Sequence, residues 1–469
     1  MEKISLPSSC WKEISLRPAA LLEISPYPGY LAPMSKSEPT KYVIQGNSPI
    51  NGTIRASGNK NAALPCIAAA LLTDEKVILR DIPEIKDVQV MLEVLKSLGA
   101  RVKHLKPGVY EINVGNLPTA EVPADMARSI RASILLAGPL LARVGRVILP
   151  PPGGDVIGRR RLDTHFLAFE ELGATVGVDG VFDISASRLK GADIFLDEAS
   201  VTATENCIMA AVLAVGQTVI RNAASEPHVQ DLCRMLISMG ALISGVGSNI
   251  LVIQGVDKLH GTDFTIGCDF MEVGSFIGLA AVTRGDLVIE NACPEHLRMT
   301  RLAFAKLGIS WETEGNIIHV PSHQQLKVVP DLGGAIPKID DAPWPGFPAD
   351  LTSIMTVVAT QVEGTVLIHE KMFESRMFFV DKLIGMGAGI ILCDPHRAVV
   401  SGPSSLRGAY LVSPDVRAGM AMVIAALCAE GQSTIDNVYQ IERGYEGLVD
   451  RLRGLGARIE LAKTANPED

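Results

Sequence analysis

The chain lacks the features that would indicate a membrane protein, a disulfide scaffold or a metal site. Its apolar runs end near eleven residues, as in 62–72, whereas a helix needs about 18 to span a bilayer. Eight cysteines are scattered without a Cys-x-x-Cys pair, and nine histidines form no His-x-x-x-His pair. We therefore expect a reduced protein of the cytoplasm that binds no metal.

A basic excess is also absent. The formal net charge of −9 at pH 7 argues against a nucleic-acid binder, so any anion site must come from local clustering of cations. With 469 residues the chain exceeds what one core usually supports, and we expect two domains. Residues 1–40 show no clean periodicity and indicate a disordered N-terminal extension, or residues upstream of a true start at Met34.

A repeat is present instead. A Leu-Gly-Ala tripeptide or a close variant ends an apolar helical stretch six times, with successive glycines 67 to 79 residues apart. These glycines are Gly99, Gly173, Gly240, Gly308, Gly387 and Gly456. Glycine after a helix suits a left-handed cap, and a fixed period of this length indicates a repeated structural unit.

A second signature falls between these glycines, where Ala-rich helices lead through a turn into β-branched strands. The segments are 68–72 before 77–79, 210–214 before 218–220, 278–282 before 287–289, 354–359 before 366–368, and 423–429 before 433–435. The predicted unit is therefore β-α-β-α-β-β, repeated six times in an α/β fold.

The segment 57–61, Ser-Gly-Asn-Lys-Asn, is a candidate anion site. A glycine turn that feeds a helix N-terminus exposes unpaired N–H groups, and Lys60 adds a cation beside them, which suits a phosphate. An ordinary N-cap with a solvated lysine explains this segment equally well.

The loop 150–161 is a second candidate. It contains three prolines, three glycines, Asp155 and three arginines. Long connections without regular structure are uncommon unless they are functional, so we favour a mobile lid over an anionic ligand to a solvated basic loop.

Other charged residues are dispersed. Arg131 lies near the start of an apolar helix, and Arg376, Arg417 and Arg443 occur in the last three repeats. Taken singly, each is more typical of a surface or salt-bridge residue than of a ligand contact. Asp350 follows a Pro-rich loop and precedes a helix, where N-capping is the favoured role.

Together with further short motifs, these residues match a known pattern in all six repeats, from about residue 42 to 459. The motifs are Ser57 to Ala62, Arg131-Ala132-Ser133-Ile134, Pro152-Gly153-Gly154, Arg160 with Asp163 and His165, Glu226-Pro227, Phe347-Pro348 with Asp350, Phe373-Glu374-Ser375-Arg376, Asp415 with Arg417-Ala418, and Arg443-Gly444-Tyr445-Glu446. The chain thereby resembles the enolpyruvyl transferase family, in particular the branch that acts on UDP-N-acetylglucosamine.

The resemblance implies an inside-out α/β barrel of two similar domains with three repeats each, joined by a double crossover. One domain would span 59–266 and carry the lid loop. The other would combine 40–58 with 267–469, and the active site would lie between the two.

The resemblance also implies a reaction. The enolpyruvyl group of phosphoenolpyruvate would move to the 3-hydroxyl of UDP-N-acetylglucosamine with release of phosphate, the first committed step of peptidoglycan precursor synthesis. No metal or organic cofactor takes part in the family, so several preorganised cations must converge on phosphoenolpyruvate.

By the same resemblance, Lys60, Arg160 and Arg443 would hold the phosphate of phosphoenolpyruvate, with Arg376 and Arg417 near its carboxylate.

Two acids would move protons. Asp350 would accept the proton of the attacking hydroxyl, and Asp155 would donate one to C3. The residues implied to contact the sugar nucleotide are Asn61, Arg131, Arg161, Leu162, Asp163, Thr164, Ser200, Val201 and the backbone of Met372.

Three positions depart from the family pattern. Asp155 stands where many relatives carry cysteine, although some active members have Asp there. Glu198 stands where Lys is common near the diphosphate, and Thr202 where Gly is common. The alternatives left open are an enolpyruvyl transferase for another nucleotide or for shikimate-3-phosphate, and a catalytically silent binding paralogue.

Because Asp155 replaces the lid thiol that the epoxide fosfomycin alkylates in relatives, we expect fosfomycin not to inactivate this protein. Preincubation with an excess of the epoxide should leave phosphate release unchanged, and mass spectrometry should find no adduct. Time-dependent covalent inactivation at the lid would contradict this expectation.

Overall fold

The computed structural model describes residues 40–117, 119–154, 157–158 and 160–463. Its strands are β1 Thr40–Gln45, β2 Gly52–Arg55, β3 Lys76–Arg80, β4 Arg101–Lys106, β5 Val109–Asn113, β6 Arg146–Leu149, β7 Thr175–Val178, β8 Phe182–Ser185, β9 Asp193–Phe195, β10 Gln217–Arg221, β11 Leu242–Ser244, β12 Ile250–Gln254, β13 Thr262–Thr265, β14 Leu287–Glu290, β15 Glu312–Glu314, β16 Ile317–Val320, β17 Lys338–Asp340, β18 Gly364–His369, β19 Ile390–Asp394, β20 Arg397–Gly402, β21 Tyr410–Val412, β22 Gln432–Asp436 and β23 Arg458–Lys463.

The helices alternate with these strands. They are α1 Lys60–Ala69, α2 Lys86–Ser97, α3 Ala124–Ser129, α4 Ala137–Val144, α5 Asp163–Glu171, α6 Val201–Ala211, α7 Pro227–Ser238, α8 Phe270–Thr283, α9 Arg298–Ala305, α10 Thr352–Thr360, α11 Val380–Gly385, α12 Val416–Cys428, α13 Tyr439–Glu442 and α14 Leu448–Gly454. Short 3-10 segments are Ala70–Leu72, Arg131–Leu136, Pro294–Leu297, Leu332–Gly334, Ala349–Leu351 and Arg376–Phe379. No helix in the described ranges is both long and apolar enough to cross a membrane.

The described strands form six small sheets, one for each predicted repeat. Their strand orders are β13-β3-β5-β4, β6-β8-β7, β9-β10-β12-β11, β2-β14-β16-β15, β17-β18-β20-β19 and β21-β22-β1-β23. In the four-stranded sheets the first two strands are parallel and the other pairings are antiparallel. The three-stranded sheet has only an isolated parallel bridge, Glu121 to Ile148, in the place of its first strand. The predicted β-α-β-α-β-β unit is thus confirmed.

The six repeat glycines take the predicted conformation. All have positive φ values, from 72° to 104°, directly after a helix. Only glycine adopts this region without strain, so each helix ends there and the chain turns into the next strand.

The Ala-rich helices α1, α6, α8, α10 and α12 are almost wholly buried, and the sheets lie outside them. Small side chains let these helices pack closely, for example where Gly278 of α8 faces Ile354 and Val358 of α10. The fold is therefore the expected inside-out α/β barrel, with helices at the centre and sheets at the surface.

Two separate hydrophobic cores are present. One is built from residues between Ala62 and Ile266, here called the contiguous lobe. The other combines Tyr42–Ala56 with Cys268–Ile459, here called the split lobe. We propose that these lobes are the two domains, with boundaries near 58/59 and 266/267 as the sequence predicts.

The chain passes between the lobes twice, and the two passages bond to each other. The N–H of Asn59 donates to the carbonyl of Gly267 at 2.8 Å, and the N–H of Asp269 donates to Ser57 at 2.8 Å. The strand before each passage stays in its own lobe, since β2 pairs with β14 in the split lobe and β13 pairs with β3 in the contiguous lobe. The lobes are therefore tied by a double crossover.

Gly58 lies at the tightest point of this crossover. A β-carbon there would lie 1.6 Å from the carbonyl oxygen of Asp81, so Gly58→Ala should lower the free energy of unfolding by roughly 2–4 kcal/mol in urea titrations. Gly454→Ala is the matched control, because a β-carbon at that helical position meets no atom within 4 Å. Equal stability of the two variants would contradict the prediction.

Candidate active site

A cavity of about 290 Å³ lies between the two lobes. Ten residues predicted from the sequence line it, namely Lys60, Asn61, Arg131, Arg160, Val201, Asp350, Met372, Arg376, Arg417 and Arg443. Both lobes contribute, and six of these ten side chains are cations. The cleft therefore concentrates positive charge in a chain whose net charge is negative.

The first cation pair joins the lobes. Lys60 Nζ lies 2.7 Å from Oδ2 of Asp87, and Arg443 Nε lies 2.8 Å from Oδ1 of the same residue. These three side chains are at most 12% exposed. Lys60 is thus not the solvated lysine that one interpretation of segment 57–61 required. Burial alone would raise the pKa of Asp87, but Lys60 and Arg443 outweigh burial and lower it.

The second cation pair surrounds Asp350. Arg376 Nη2 donates to Oδ1 of Asp350 at 3.1 Å, and Arg417 Nε donates to Oδ2 at 3.0 Å. Asp350 does not cap α10, whose N-cap position has no side-chain hydrogen bond, so the capping role that its position favoured is wrong. Burial would raise the pKa of Asp350, but Arg417 and Arg376 together hold it below its usual range.

Helix N-termini add to this positive field. The first turns of α1, α6, α8 and α12 all contribute lining residues. The caps of three of them are strong: Asn59, Asp269 and Asp415 each accept two backbone N–H groups through one side-chain oxygen. The N-terminus of each helix, which is the positive end of its dipole, therefore lies at the cavity.

The loop predicted as a lid contacts both walls of the cleft. Arg131 Nη2 donates to the carbonyl of Arg160 at 2.6 Å. Ile157, on the same loop, accepts from the N–H of Ser375 in the split lobe at 3.2 Å. Asp155, the predicted proton donor, lies outside the described residues, as does Arg159.

Five predicted nucleotide contacts do not line the cavity, and they lie beside it in the contiguous lobe. Arg161 pairs with Asp163 at 2.9 Å, and Thr164 donates to Asp197 at 2.7 Å. Ser200 caps α6 by accepting from the N–H of Ala203. The remaining one of the five, Leu162, packs against the contiguous core.

Comparisons with known proteins agree with this geometry. Residues 44–452 match the family model of EPSP synthase (3-phosphoshikimate 1-carboxyvinyltransferase). The chain is 69% identical to the UDP-N-acetylglucosamine 1-carboxyvinyltransferase of Treponema denticola, over 90% of this chain and 99% of that one, and 59% identical to that of Borreliella burgdorferi over the same shares. The chain belongs to the UDP-N-acetylglucosamine 1-carboxyvinyltransferase family. The enolpyruvyl transferase NikO from Streptomyces tendae has the same fold, with a TM-score of 0.82 at 23% identity, covering 92% of this chain and all of that one.

Sequence reasoning missed several lining residues of this carboxyvinyltransferase-family cleft. Asp87, Glu205 and His228 had no motif of their own, and Glu226 was noted only as part of a matching dipeptide. Burial raises the pKa of Glu205 well above its usual range, with Glu226 contributing, and burial lowers that of His228 to about 4. An acid or histidine within an apolar helical stretch gave no signal that it would face a ligand cavity.

His165 shows how the family fold keeps a histidine neutral. Its Nδ1 lies 2.9 Å from Nδ2 of Asn206, and its Nε2 lies 3.1 Å from Oγ1 of Thr202, which lines the cavity. Burial, together with Arg131, lowers the pKa of His165 to about 3. Because the Asn206 amide can only donate to Nδ1, the neutral ring carries its proton on Nε2 and donates it to Thr202, and protonation of Nδ1 would break the contact with Asn206.

This depressed pKa predicts an acid-sensitive contribution to stability. In the unfolded chain the imidazole has a pKa of about 6.5 and binds a proton below that pH. In the folded chain it stays neutral down to a pH of about 3. The contribution is therefore complete above pH 6.5 and is lost as the pH falls. Between pH 7 and 4.5 the free energy of unfolding of the wild type should fall by about 2–3 kcal/mol more than that of His165→Gln in urea titrations. Parallel pH dependences would contradict this assignment.

Proposed function

We propose that the protein transfers the enolpyruvyl group of phosphoenolpyruvate to the 3-hydroxyl of UDP-N-acetylglucosamine and releases phosphate. The observation that carries this proposal is the presence of two sets of cations in one cleft, Lys60 with Arg443 and Arg376 with Arg417. The chain is also 69% identical to a UDP-N-acetylglucosamine 1-carboxyvinyltransferase. Phosphoenolpyruvate has two anionic groups, a phosphate and a carboxylate, and each cation pair suits one of them.

The phosphate is bound by Lys60, Arg443 and Arg160 at the N-terminus of α1. Several features support this placement. Lys60 is the first residue of α1, whose N-terminal dipole favours an anion, and the lid brings Arg160 to the same cavity. Charge-assisted hydrogen bonds of this kind contribute about 1.5–3 kcal/mol each, which offsets the desolvation of the phosphate.

The carboxylate is bound by Arg376 and Arg417. Both guanidinium groups are buried, and Nη1 of Arg417 has no hydrogen-bond partner among the described residues. A buried donor without a partner is costly, and a ligand carboxylate would satisfy it.

Asp350 accepts the proton of the attacking hydroxyl. In the present arrangement two guanidinium groups hold its carboxylate ionised and weakly basic. When the substrate carboxylate takes part of those hydrogen bonds, the pKa of Asp350 rises toward that of a competent base. Asp155 serves as the acid that protonates C3 once the lid is closed.

The sugar nucleotide lies along Asn61, Arg131, Val201 and Met372, which line the cavity. The remaining predicted contacts, Arg161, Leu162, Asp163, Thr164 and Ser200, lie beside it and extend this surface toward the uracil and the diphosphate. Glu198 is exposed and does not line the cavity, so its charge need not repel the diphosphate. This arrangement favours UDP-N-acetylglucosamine over shikimate-3-phosphate, which carries no nucleotide.

We place the enzyme in the cytoplasm, at the start of peptidoglycan precursor synthesis. The seven described cysteines are free thiols, in agreement with a reducing compartment. Closure of the two lobes on the substrates completes the site, because the phosphate set and the sugar-nucleotide set each draw residues from both lobes.

The decisive assay is phosphate release from phosphoenolpyruvate with UDP-N-acetylglucosamine, UMP or shikimate-3-phosphate as acceptor, with the product identified by mass. Release only with UDP-N-acetylglucosamine is the expected result. Release with shikimate-3-phosphate or UMP would change the assigned acceptor. Absence of release with every acceptor would indicate a silent paralogue.

Asp350→Ala should lower the rate of phosphate release at least about a hundredfold, because it removes the acceptor of the hydroxyl proton. Asp263→Asn is the matched control. Asp263 also pairs with an arginine, Arg80, at 2.6 Å, but on the surface of the contiguous lobe, and its loss should leave the rate unchanged. A rate for Asp350→Ala within a few-fold of wild type would overturn the role of Asp350.

A further inference from the structure

The cations that would bind the phosphate are already bridged by a carboxylate of the protein. Asp87 presents one oxygen to Lys60 at 2.7 Å and both oxygens to Arg443, at 2.8 and 3.3 Å. This is the bidentate geometry that a phosphate would use with the same two side chains. We propose that Asp87 competes with the substrate phosphate for Lys60 and Arg443, and that Asp87 holds the lobes together until a phosphate group displaces it. The inference rests on the proposed function of the cleft.

The position of Asp87 suits this role. It is the second residue of α2 in the contiguous lobe, where the helix N-terminus stabilises a negative charge. Arg443 follows α13 in the split lobe, so the contact crosses the cleft. A carboxylate held in this way neutralises two buried cations that would otherwise repel each other across a low-dielectric gap.

A second ion pair reinforces the same crossing. Lys86, the neighbour of Asp87, has its Nζ 2.9 Å from Oε2 of Glu442, the neighbour of Arg443. The Lys86 ammonium also lies 4.2 Å above the ring of Tyr439. Neither Lys86 nor Glu442 lines the cavity. Each lobe thus contributes two adjacent residues of opposite charge, and these form two ion pairs across the cleft. Only the inner pair, Asp87 with Arg443, reaches the phosphate subsite, whereas the outer pair is Lys86 with Glu442.

A competing role and a supporting role for Asp87 predict opposite changes in anion affinity when Asp87 is lost. If Asp87 only positioned Lys60 and Arg443, its loss would loosen both cations and weaken anion binding. If Asp87 competes with phosphate, its loss strengthens anion binding, because one negative charge has been removed next to the ligand.

The test uses the full chain without nucleotide, with inorganic phosphate and then phosphoenolpyruvate titrated by calorimetry. Asp87→Asn keeps the shape of the side chain and removes its charge. We expect the Kd for inorganic phosphate to fall about tenfold or more relative to wild type. Small-angle scattering should show a more open unliganded variant that closes when phosphate is added.

Glu442→Gln is the matched control, because it breaks the outer contact and leaves the phosphate subsite untouched, and its Kd for phosphate should stay within about twofold of wild type. An unchanged or higher Kd for Asp87→Asn would overturn the inference. If that variant does not fold, Asp87→Ser carries the same expectation. Failure of the proposed function would appear separately, as absence of phosphate release from the wild type.

Discussion

The mutual repulsion of buried cations is the constraint on which the rest of this structure depends. Side chains that bind a small, highly charged anion must place several cations in one cleft, and unpaired charges cost several kcal/mol each when they leave water. The protein meets this constraint with its own carboxylates, since Asp87 lies between Lys60 and Arg443 while Asp350 lies between Arg376 and Arg417. The protein's own carboxylates therefore hold the cations in place, and we infer that a substrate exchanges with these carboxylates and also satisfies the unpartnered Nη1 of Arg417.

The inside-out fold makes it possible to build such a cleft. Helices at the centre of each lobe are buried on all sides, so their termini, rather than their faces, meet at the boundary between the lobes. Four N-terminal turns reach the cavity, and their dipoles favour anions without adding further charged side chains. Burial also raises the pKa of both Glu205 and Glu226, which weakens the tendency of these acids to ionise and to cancel the positive field.

The repeat made much of the fold predictable. Glycine at six helix ends and Ala-rich helices before β-branched strands are local signals, and both were found as expected. The sequence did not predict that the second repeat would lack a full first strand, in whose place the structure has only a bridge at Glu121. Lys60 and Asp350 were recognised as candidates, but the partners that set their charge state, such as Asp87, lie far away in sequence. The position of Asp350 ahead of a helix suggested a cap, whereas its neighbours in space are two arginines.

The sequence by itself determined the repeating unit, the negative net charge and the identity of most cations that line the cleft, because these depend on composition, local pattern and motif spacing. Only the tertiary structure decided how the charges pair. Asp87 and Arg443 are 356 residues apart and meet because the chain crosses twice between the lobes near Gly58 and Cys268. Electrostatic pairing depends on distances of a few ångströms, and no periodicity in the sequence reports such distances across a cleft.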